Sequence, residues 1–386
     1  MDYSCTLAEE TLLGTLEGLL KHLEEPGASA PKALDGLKVL VAGNRSGLLP
    51  CALAKGGADV TVHVFDCHHA RAIRERLDAA DLAGKVRVAI EPGIPSGPYT
   101  RAYFMTTPQS MTGELVLDQL EDIRTNLSAG GELVAAFEGD ADESLKTMKK
   151  AFARVHVEGV VQNRKRRRNG GRRLETVALF RAVKGEVDAA AKRRSFIAEW
   201  NASVPGGEAR AFVSLPGCFC HRRADMGGLA LAETACSVLE DLKGAKILDM
   251  GCGCGFVGLL VADRLRARGT AARLTLLDSH ARALEAARMN AERLGFADAR
   301  LVLSDIGTAA EDDATFDLFL GNPPYFGDWR IAETFVSTAF RALRPGGRCL
   351  TVAKSEGGLG EIQSRIFGNA DILRRRGYCV FSSIRH

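Results

Sequence analysis

The sequence predicts a tandem α/β duplication, with two mostly parallel sheets each covered by helices on both faces. Three observations carry this reading. Apolar strand-like runs alternate with helix-length segments, the pattern of strands buried on both faces. The same series of runs occurs twice in the same order. In each series a glycine-rich turn follows the first strand. At 386 residues the chain is too long for one ordinary domain and comfortable for two.

The elements follow in order. Leu12, Leu16, Leu19, Leu20 and Leu23 recur at helical spacing and predict an amphipathic helix, ended by Glu25-Pro26-Gly27. The first series of strands is then Lys38–Ala42, Val60–Phe65, Val86–Ile90, Ala102–Met105 and Glu132–Phe137. The second is Lys246–Asp249, Arg273–Leu277, Arg300–Leu303, Leu318–Leu320 and Cys349–Ala353. Residues 39–47 align with residues 247–255, Val64-Phe65-Asp66 with Leu276-Leu277-Asp278, and Gly130-Gly131 with Gly346-Gly347. Each half closes on a strand hairpin, after Phe152 and after Phe367. Lys192-Arg193-Arg194 and Pro205-Gly206-Gly207 mark a join, so the expected division is 1–185, a connector at 186–211, and 212–386.

Composition excludes several classes. The apolar fraction of 46% with 26% charged residues fits a globular protein with full cores. A net charge of +3 does not announce a nucleic-acid binder in bulk, so local clusters must decide. No apolar run is long enough to span a bilayer, and the start of the chain lacks a secretion-signal pattern, so a cytoplasmic protein is expected. The ten cysteines are then free thiols by default. The pairs Cys218/Cys220 and Cys252/Cys254 lack the C-x-x-C spacing of zinc sites, and no metal is expected.

The chemistry concentrates in the second half. Asp249-Met250-Gly251-Cys252-Gly253-Cys254-Gly255 follows a strand and opens a helix. Its G-x-G-x-G spacing differs from the G-x-G-x-x-G of dinucleotide folds. Asp249 would repel a pyrophosphate but suits a ligand carrying an ammonium group, such as S-adenosylmethionine. Asp278, followed by Ser279, ends the second strand and can accept ribose hydroxyls. Asp305 at the end of the third can accept an adenine amine, with Ile306 covering the ring. The fourth strand runs into Asn322-Pro323-Pro324-Tyr325. Two prolines make the corner rigid and remove two donors. The Asn322 side-chain oxygen and the Pro323 carbonyl can accept both hydrogens of a planar amine, and Tyr325 can stack on its ring. An isolated element of this kind reads as a tight turn or an Asx-capped proline turn. Their sequence along successive strand ends favours a cofactor site beside an amine-holding corner.

These residues resemble the class I methyltransferases, in the amino-directed branch with an N-P-P-[YF] motif. Leu215-Pro216-Gly217-Cys218-Phe219 and Ala224-Asp225-Met226-Gly227 are further similar to the segment before the catalytic domain in the RsmC/RlmG family of bacterial ribosomal RNA guanine-N2 methyltransferases. Cys218 and Cys220 depart from the usual P-G-V-F-S. The resemblance is strong in sequence from about Phe212 to Lys354. It implies a Rossmann-like methyltransferase fold, with a seven-stranded, mostly parallel sheet, present twice with only the second copy catalytic. It also implies Phe219 and Asp225 near the cofactor, along with Asp249, Gly251, Cys252, Gly253, Gly255, Asp278, Ser279, Asp305, Ile306 and Asn322.

The first half lacks the parts. Val41 stands for Asp249 and Arg45 for Gly253, and Met105-Thr106-Thr107-Pro108-Gln109 is set against Gly321-Asn322-Pro323-Pro324-Tyr325. Only Asp66 survives, as the counterpart of Asp278. The basic run Arg164, Lys165, Arg166, Arg167, Arg168, then Arg172 and Arg173, sits at a hairpin tip and is a candidate RNA contact, against the plainer reading of a solvated loop. The expected function is transfer of a methyl group from S-adenosylmethionine to a guanine N2 amine in ribosomal RNA, 16S-type favoured, by a monomer acting on RNA or a ribosomal subunit. Methylation of another amine (adenine N6, or a protein glutamine), an NAD-dependent oxidoreductase and a non-catalytic RNA-binding scaffold are the competing readings.

Overall fold

The structure, a computed structural model, describes residues 6–21, 34–106, 113–166, 172–238, 244–307, 314–324 and 329–386. Contacts divide it into two units, Met1–Phe196 and Ile197–His386.

The first unit runs α1 (Leu7–Lys21), β1 (Lys38–Ala42), α2 (Leu48–Lys55), β2 (Asp59–Val64), α3 (Cys67–Ala79), β3 (Val86–Ile90), β4 (Tyr99–Thr106), α4 (Gly113–Asn126), β5 (Leu127–Glu138), α5 (Ala141–Ala151), β6 (Val155–Arg166), β7 (Arg172–Val183) and α6 (Glu186–Ala190). Its seven strands lie in the order β3-β2-β1-β4-β5-β7-β6, and only the closing hairpin is antiparallel. Strand alternation feeds two cores. Val39 and Val41 of β1 face one core, together with Leu12 and Leu16 of α1. Leu40 and Ala42 face the other, with Phe104 and Phe180. Each such buried leucine contributes ~1.5–3 kcal/mol. Asp140 accepts the Glu143 N–H at 2.8 Å and starts α5, an ordinary carboxylate cap. Of the leucines that predict α1, Leu12 and Leu16 are buried, Leu23 falls outside the described residues, and the side chains of Leu19 and Leu20 are not described.

The second unit runs β8 (Ala198–Ala202), β9 (Arg210–Ser214), α7 (Met226–Val238), β10 (Gly244–Met250), α8 (Phe256–Ala267), β11 (Ala271–Asp278), α9 (Ala281–Arg293), β12 (Arg300–Leu303), β13 (Phe316–Gly321), α10 (Arg330–Ala342), β14 (Leu343–Ala353), α11 (Leu359–Phe367), β15 (Asp371–Arg375) and β16 (Tyr378–Ile384). The order β12-β11-β10-β13-β14-β16-β15 repeats the first sheet strand for strand. The duplicated, mostly parallel seven-stranded fold expected from the sequence is therefore present. β10 lies between β11 and β13, so its carboxyl end is the switch point where open α/β sheets bind ligands.

The stretch 186–211, expected as a connector, is largely folded. α6 closes the first unit: Asp188 accepts the Gly185 and Ala153 N–H groups at 3.0 and 2.8 Å. β8 and β9 form a hairpin on the second core, where Trp200 stacks on Phe212 at 5.3 Å and meets the Phe256 edge at 5.4 Å. Aromatic packing organises this segment, which Pro205-Gly206-Gly207 had marked as a turn-rich join.

Candidate active site

The glycine loop after β10 is built by left-handed backbone at Gly251, Gly253 and Gly255, with φ of 67°, 57° and 81°. Gly255 starts α8. A side chain at Gly251 would strike the Phe335 ring, whose Cζ lies 2.8 Å from the added carbon. At Gly253 nothing lies within 4 Å of such a carbon, so the space above the middle of the loop is open.

Asp249 is 3% exposed, and its Oδ2 accepts the Gly258 N–H at 2.8 Å. Burial pushes this carboxyl up to about 7; the Gly258 hydrogen bond pulls it down and the Asp278 charge adds a smaller upward push. Its partner is therefore within the protein, and its first duty is to tie β10 to α8. Asp278 closes the other side of the loop. Its Oδ2 accepts the Gly253 N–H at 2.8 Å and its Oδ1 the His280 N–H at 2.9 Å. Ser279 follows at the same strand end, half-exposed. Asp305 and Ile306 follow β12, with Ile306 exposed at 47%.

Asn290 was not anticipated. It is fully buried on α9, gives Nδ2 hydrogens to the Val213 and Cys254 carbonyls at 2.9 Å each, and accepts the Val213 N–H at 2.7 Å. One amide thus locks β9 and the glycine loop together, with every group used. A lone asparagine in a helical run gave no signal of this.

The segment 215–225 follows β9. Gly217, Cys220 and Arg222 adopt positive φ, and the resulting turn leaves Phe219 exposed at 69%. Asp225 comes just before α7. Its Oδ2 accepts the Gly228 N–H at 2.7 Å and the Asn322 Nδ2 hydrogen at 2.9 Å. Cys218, Cys252 and Cys254 are buried free thiols, and burial pushes Cys218 up to about 11 and Cys254 up to about 12. They are neutral packing groups, Cys252 and Cys254 in the glycine loop and Cys218 in the turn after β9. Among the described residues no cluster of His, Cys, Asp and Glu is arranged to hold a metal ion.

Register places the acceptor corner. Met250 of β10 pairs with Gly321, so Asn322 leaves β13 at the level of Gly251, where the glycine loop begins. Asn322 and Pro324 are half-buried and Pro323 is buried. Tyr325 lies outside the described residues, as do Arg167 and Arg168. Arg164, Lys165, Arg166, Arg172 and Arg173 lie at the facing ends of β6 and β7, as a hairpin tip requires, although their side chains are not described.

The same registers correct two sequence alignments of the halves. Ala42 pairs with Phe104, so Met105, not Thr106, stands where Asn322 stands. A thioether with little acceptor capacity replaces the amide, 3.7 Å from Asn44 Nδ2. Ala42 is level with His63 on β2, whereas Met250 is level with Leu277. Asp66 therefore lies two residues further along its strand end than Asp278 does. Asp66 is the N-cap of α3, accepting the His68 N–H at 2.7 Å, whereas Asp278 stands two residues before the N-cap of α9, His280, and accepts that residue's N–H.

Comparison with known proteins agrees with this geometry. The family model of the methyltransferase small domain matches residues 209–382. Ribosomal RNA small subunit methyltransferase C of Pseudomonas aeruginosa is 36% identical over 148 residues, 37% of this chain and 41% of that protein. The Vibrio vulnificus protein of the same name is 32% identical over 173 residues, 44% of this chain and 47% of its own length. These matches span less than half the length of the relatives. The structure of the T. thermophilus 16S rRNA N2 G1207 methyltransferase RsmC, in complex with AdoMet and guanosine, aligns over 96% of this chain and 92% of that one, with a TM-score of 0.70 at 21% identity. The chain shares the tandem fold of that RsmC structure, and its residues 209–382 match the methyltransferase small domain.

Proposed function

We propose that the second unit transfers a methyl group from S-adenosylmethionine to the exocyclic N2 amine of a guanine in ribosomal RNA, of the 16S type. The observation that carries this is the Asn322-Pro323-Pro324 corner, which continues β13 directly beside the glycine loop of β10. The likeness in sequence and fold to small-subunit methyltransferases supports the choice of acceptor.

The residues fit the cofactor. The open space at Gly253 admits close approach to the backbone. Asp278 places a carboxylate at the end of β11, the acceptor type that ribose hydroxyls need. Phe219 and Ile306 are large apolar side chains left exposed, as expected of groups that cover a flat base. Asp305 is the acceptor for the adenine amine, and Cys252 contributes its place in the loop. When bound, the cofactor supplies an electrophilic methyl on a sulfonium.

The chain's own contribution is alignment. Asn322 Oδ1 and the Pro323 carbonyl accept the two amine hydrogens, and the nitrogen lone pair then points at the methyl carbon. No strong base is needed, because the nitrogen becomes acidic once alkylated. Tyr325 stacks on the base.

The first unit is a degenerate copy whose basic hairpin tip, Arg164–Arg173, engages RNA phosphates. The whole acts as a monomer on ribosomal RNA or an assembled subunit in the cytoplasm. Among the described residues no helix is long and apolar enough to cross a membrane. The test is mass spectrometry of nucleosides from ribosomal RNA of cells with and without the gene, paired with methylation of the unmodified RNA by the purified chain. Loss and restoration of N2-methylguanosine is expected. N6-methyladenosine in its place, or no change in any ribosomal nucleoside, overturns the acceptor assignment.

A further inference from the structure

The proposed transfer, on which this inference rests, requires Asn322 to offer oxygen to the amine. An amide is nearly the same shape either way round, so size alone does not choose between oxygen and NH2. Turned the wrong way, it would set two donors against two donors. Asp225 removes the choice. A carboxylate only accepts, so the Asn322 NH2 must face it, and Nδ2 lies 2.9 Å from Asp225 Oδ2. The Oδ1 atom is thereby turned to the opposite side.

We propose that Asp225 is a positioning residue, fixing the Asn322 amide with its oxygen toward the acceptor amine. The carboxylate is itself held. The Gly228 N–H binds the same Oδ2 at 2.7 Å, and the Cys220 thiol reaches Oδ1 at 3.8 Å. The first turn of α7 is made of glycines for close packing. A side-chain carbon on Gly228 would lie 2.5 Å from Phe256 Cζ, and one on Gly227 would lie 3.1 Å from both Asp225 Oδ2 and Tyr378 Cε1. A helix start alone would be served by the Gly228 bond. The second bond joins it to a residue 97 positions away, at the end of a different strand.

The test is a double-mutant cycle in the full chain with Asp225→Ala and Asn322→Ala, read by single-turnover methyl transfer to unmodified 16S ribosomal RNA. Asp225→Ala should slow transfer on the order of 10²-fold, the scale of a misplaced reacting group. S-adenosylmethionine affinity by calorimetry should stay within a few-fold of wild type, by the same reasoning that the effect falls on the acceptor. The double variant should be no slower than Asn322→Ala alone. Asp225→Asn should recover much of the rate, since one amide oxygen can accept both bonds. A wild-type rate in Asp225→Ala, or losses that multiply in the double variant, overturns the inference. A second readout stands apart from activity. The Asn322 side-chain NH2 resonances, assigned by their absence in Asn322→Ala, should shift in Asp225→Ala, and unchanged resonances also overturn it. A wild-type chain that binds the cofactor and leaves ribosomal RNA unmethylated breaks the functional reading instead, while the resonances still decide the role of Asp225.

Discussion

The two glycine loops, Gly43–Gly47 and Gly251–Gly255, share a frame and differ in what fills it. Both outer glycines keep left-handed backbone, with φ of 79° and 80° in the first loop and 67° and 81° in the second. The middle residue differs. Gly253 is left-handed and opens onto space, whereas Arg45 does not adopt that conformation, and burial lowers its pKa. The tie to the following helix differs as well. In the second unit Asp249 accepts the Gly258 N–H. In the first, Val41 offers no acceptor and Pro50, at the position of Gly258, has no N–H to leave unpaired. A third difference comes from α1. Glu9, 1% exposed, accepts from Asn44 Nδ2 at 2.7 Å, Ser46 Oγ at 2.6 Å and the Leu49 N–H at 3.1 Å. The first loop is thus filled by its own carboxylate. A ligand loop can be retired without cost to the fold when acceptor and donor vanish together, because no buried polar group is orphaned.

The largest effects should separate the two units by chemistry. On the proposed mechanism Asn322→Ala removes one of two acceptors for the amine, and should slow methyl transfer ~10²–10³-fold, with little change in cofactor affinity. A wild-type single-turnover rate would refute the amine-holding corner. Gly253→Arg writes the first loop's residue into the second. It fills the open space and strains a φ of 57°. Cofactor affinity should fall on the order of 10²-fold, equivalent to about 2.7 kcal/mol, by calorimetry. Unchanged affinity would mean that the middle of the loop is not where the ligand approaches.

Much of this comparison was legible in the sequence. Strand positions, the repeat, the hairpins and the glycine loops follow from local pattern, since burial on both faces and positive φ each leave a composition signature. What escaped is what depends on register and long-range partners. The one-residue offset at Met105 and the two-residue offset at Asp66 are set by strand pairing, which alignment of halves with different strand ends does not carry. Glu9, Asn290 and the Asp225–Asn322 bond join residues 35 to 97 positions apart. The Val41/Pro50 pair had a usable signal: two aligned positions changing from bonded partners to two groups that need none.

The hairpin tips offer the next contrast. In the second unit the turn is a tight Arg376-Gly377, and Arg376 is paired with Glu233 at 2.7 Å, while Arg374 pairs with Glu356. Those cations are engaged within the protein. The first unit's tip carries a longer basic run between β6 and β7. Replacing Arg166, Arg167 and Arg168 by Ala should lower RNA affinity and flatten its log–log salt dependence by about one unit per lost phosphate contact. Cofactor affinity should not move. An unchanged slope in filter binding across salt concentrations would return the run to a solvated loop.

Glu9→Ala probes the filled loop. Three donors lose their acceptor, and the first unit should lose about 2 kcal/mol of stability, the scale of leaving buried groups unsatisfied. Both tryptophans, Trp200 and Trp329, lie in the second unit, so their fluorescence should melt as in wild type while hydrogen exchange in β1 and β2 accelerates. If Glu9→Ala instead creates a second cofactor site, the carboxylate rather than the missing glycine is what silences the first unit.

The smallest expected effect isolates the Asp249–Gly258 tie, which the first unit lacks. Burial raises the Asp249 carboxyl from 3.8 to about 7 in the folded unit. Below about pH 4 it is neutral in both folded and unfolded chains, on the ordinary carboxylate scale. As pH rises from there to about 7, the unfolded chain ionises and the folded unit keeps its proton. Unfolding then releases a proton, so this group's contribution to stability falls with rising pH through that window and levels off above it. Asp249→Asn keeps an oxygen for the Gly258 N–H and cannot ionise. Its stability relative to wild type should therefore climb from about pH 4 to about pH 7 and be flat beyond, in urea melts followed by tryptophan fluorescence, which reports the second unit. Parallel pH curves for the two proteins would show that the Gly258 hydrogen bond outweighs burial and keeps the carboxylate ionised. The tie would then be a charged cap at the start of α8 rather than a neutral bond, and the loss at Val41 would have removed a charge from the first loop as well as an acceptor.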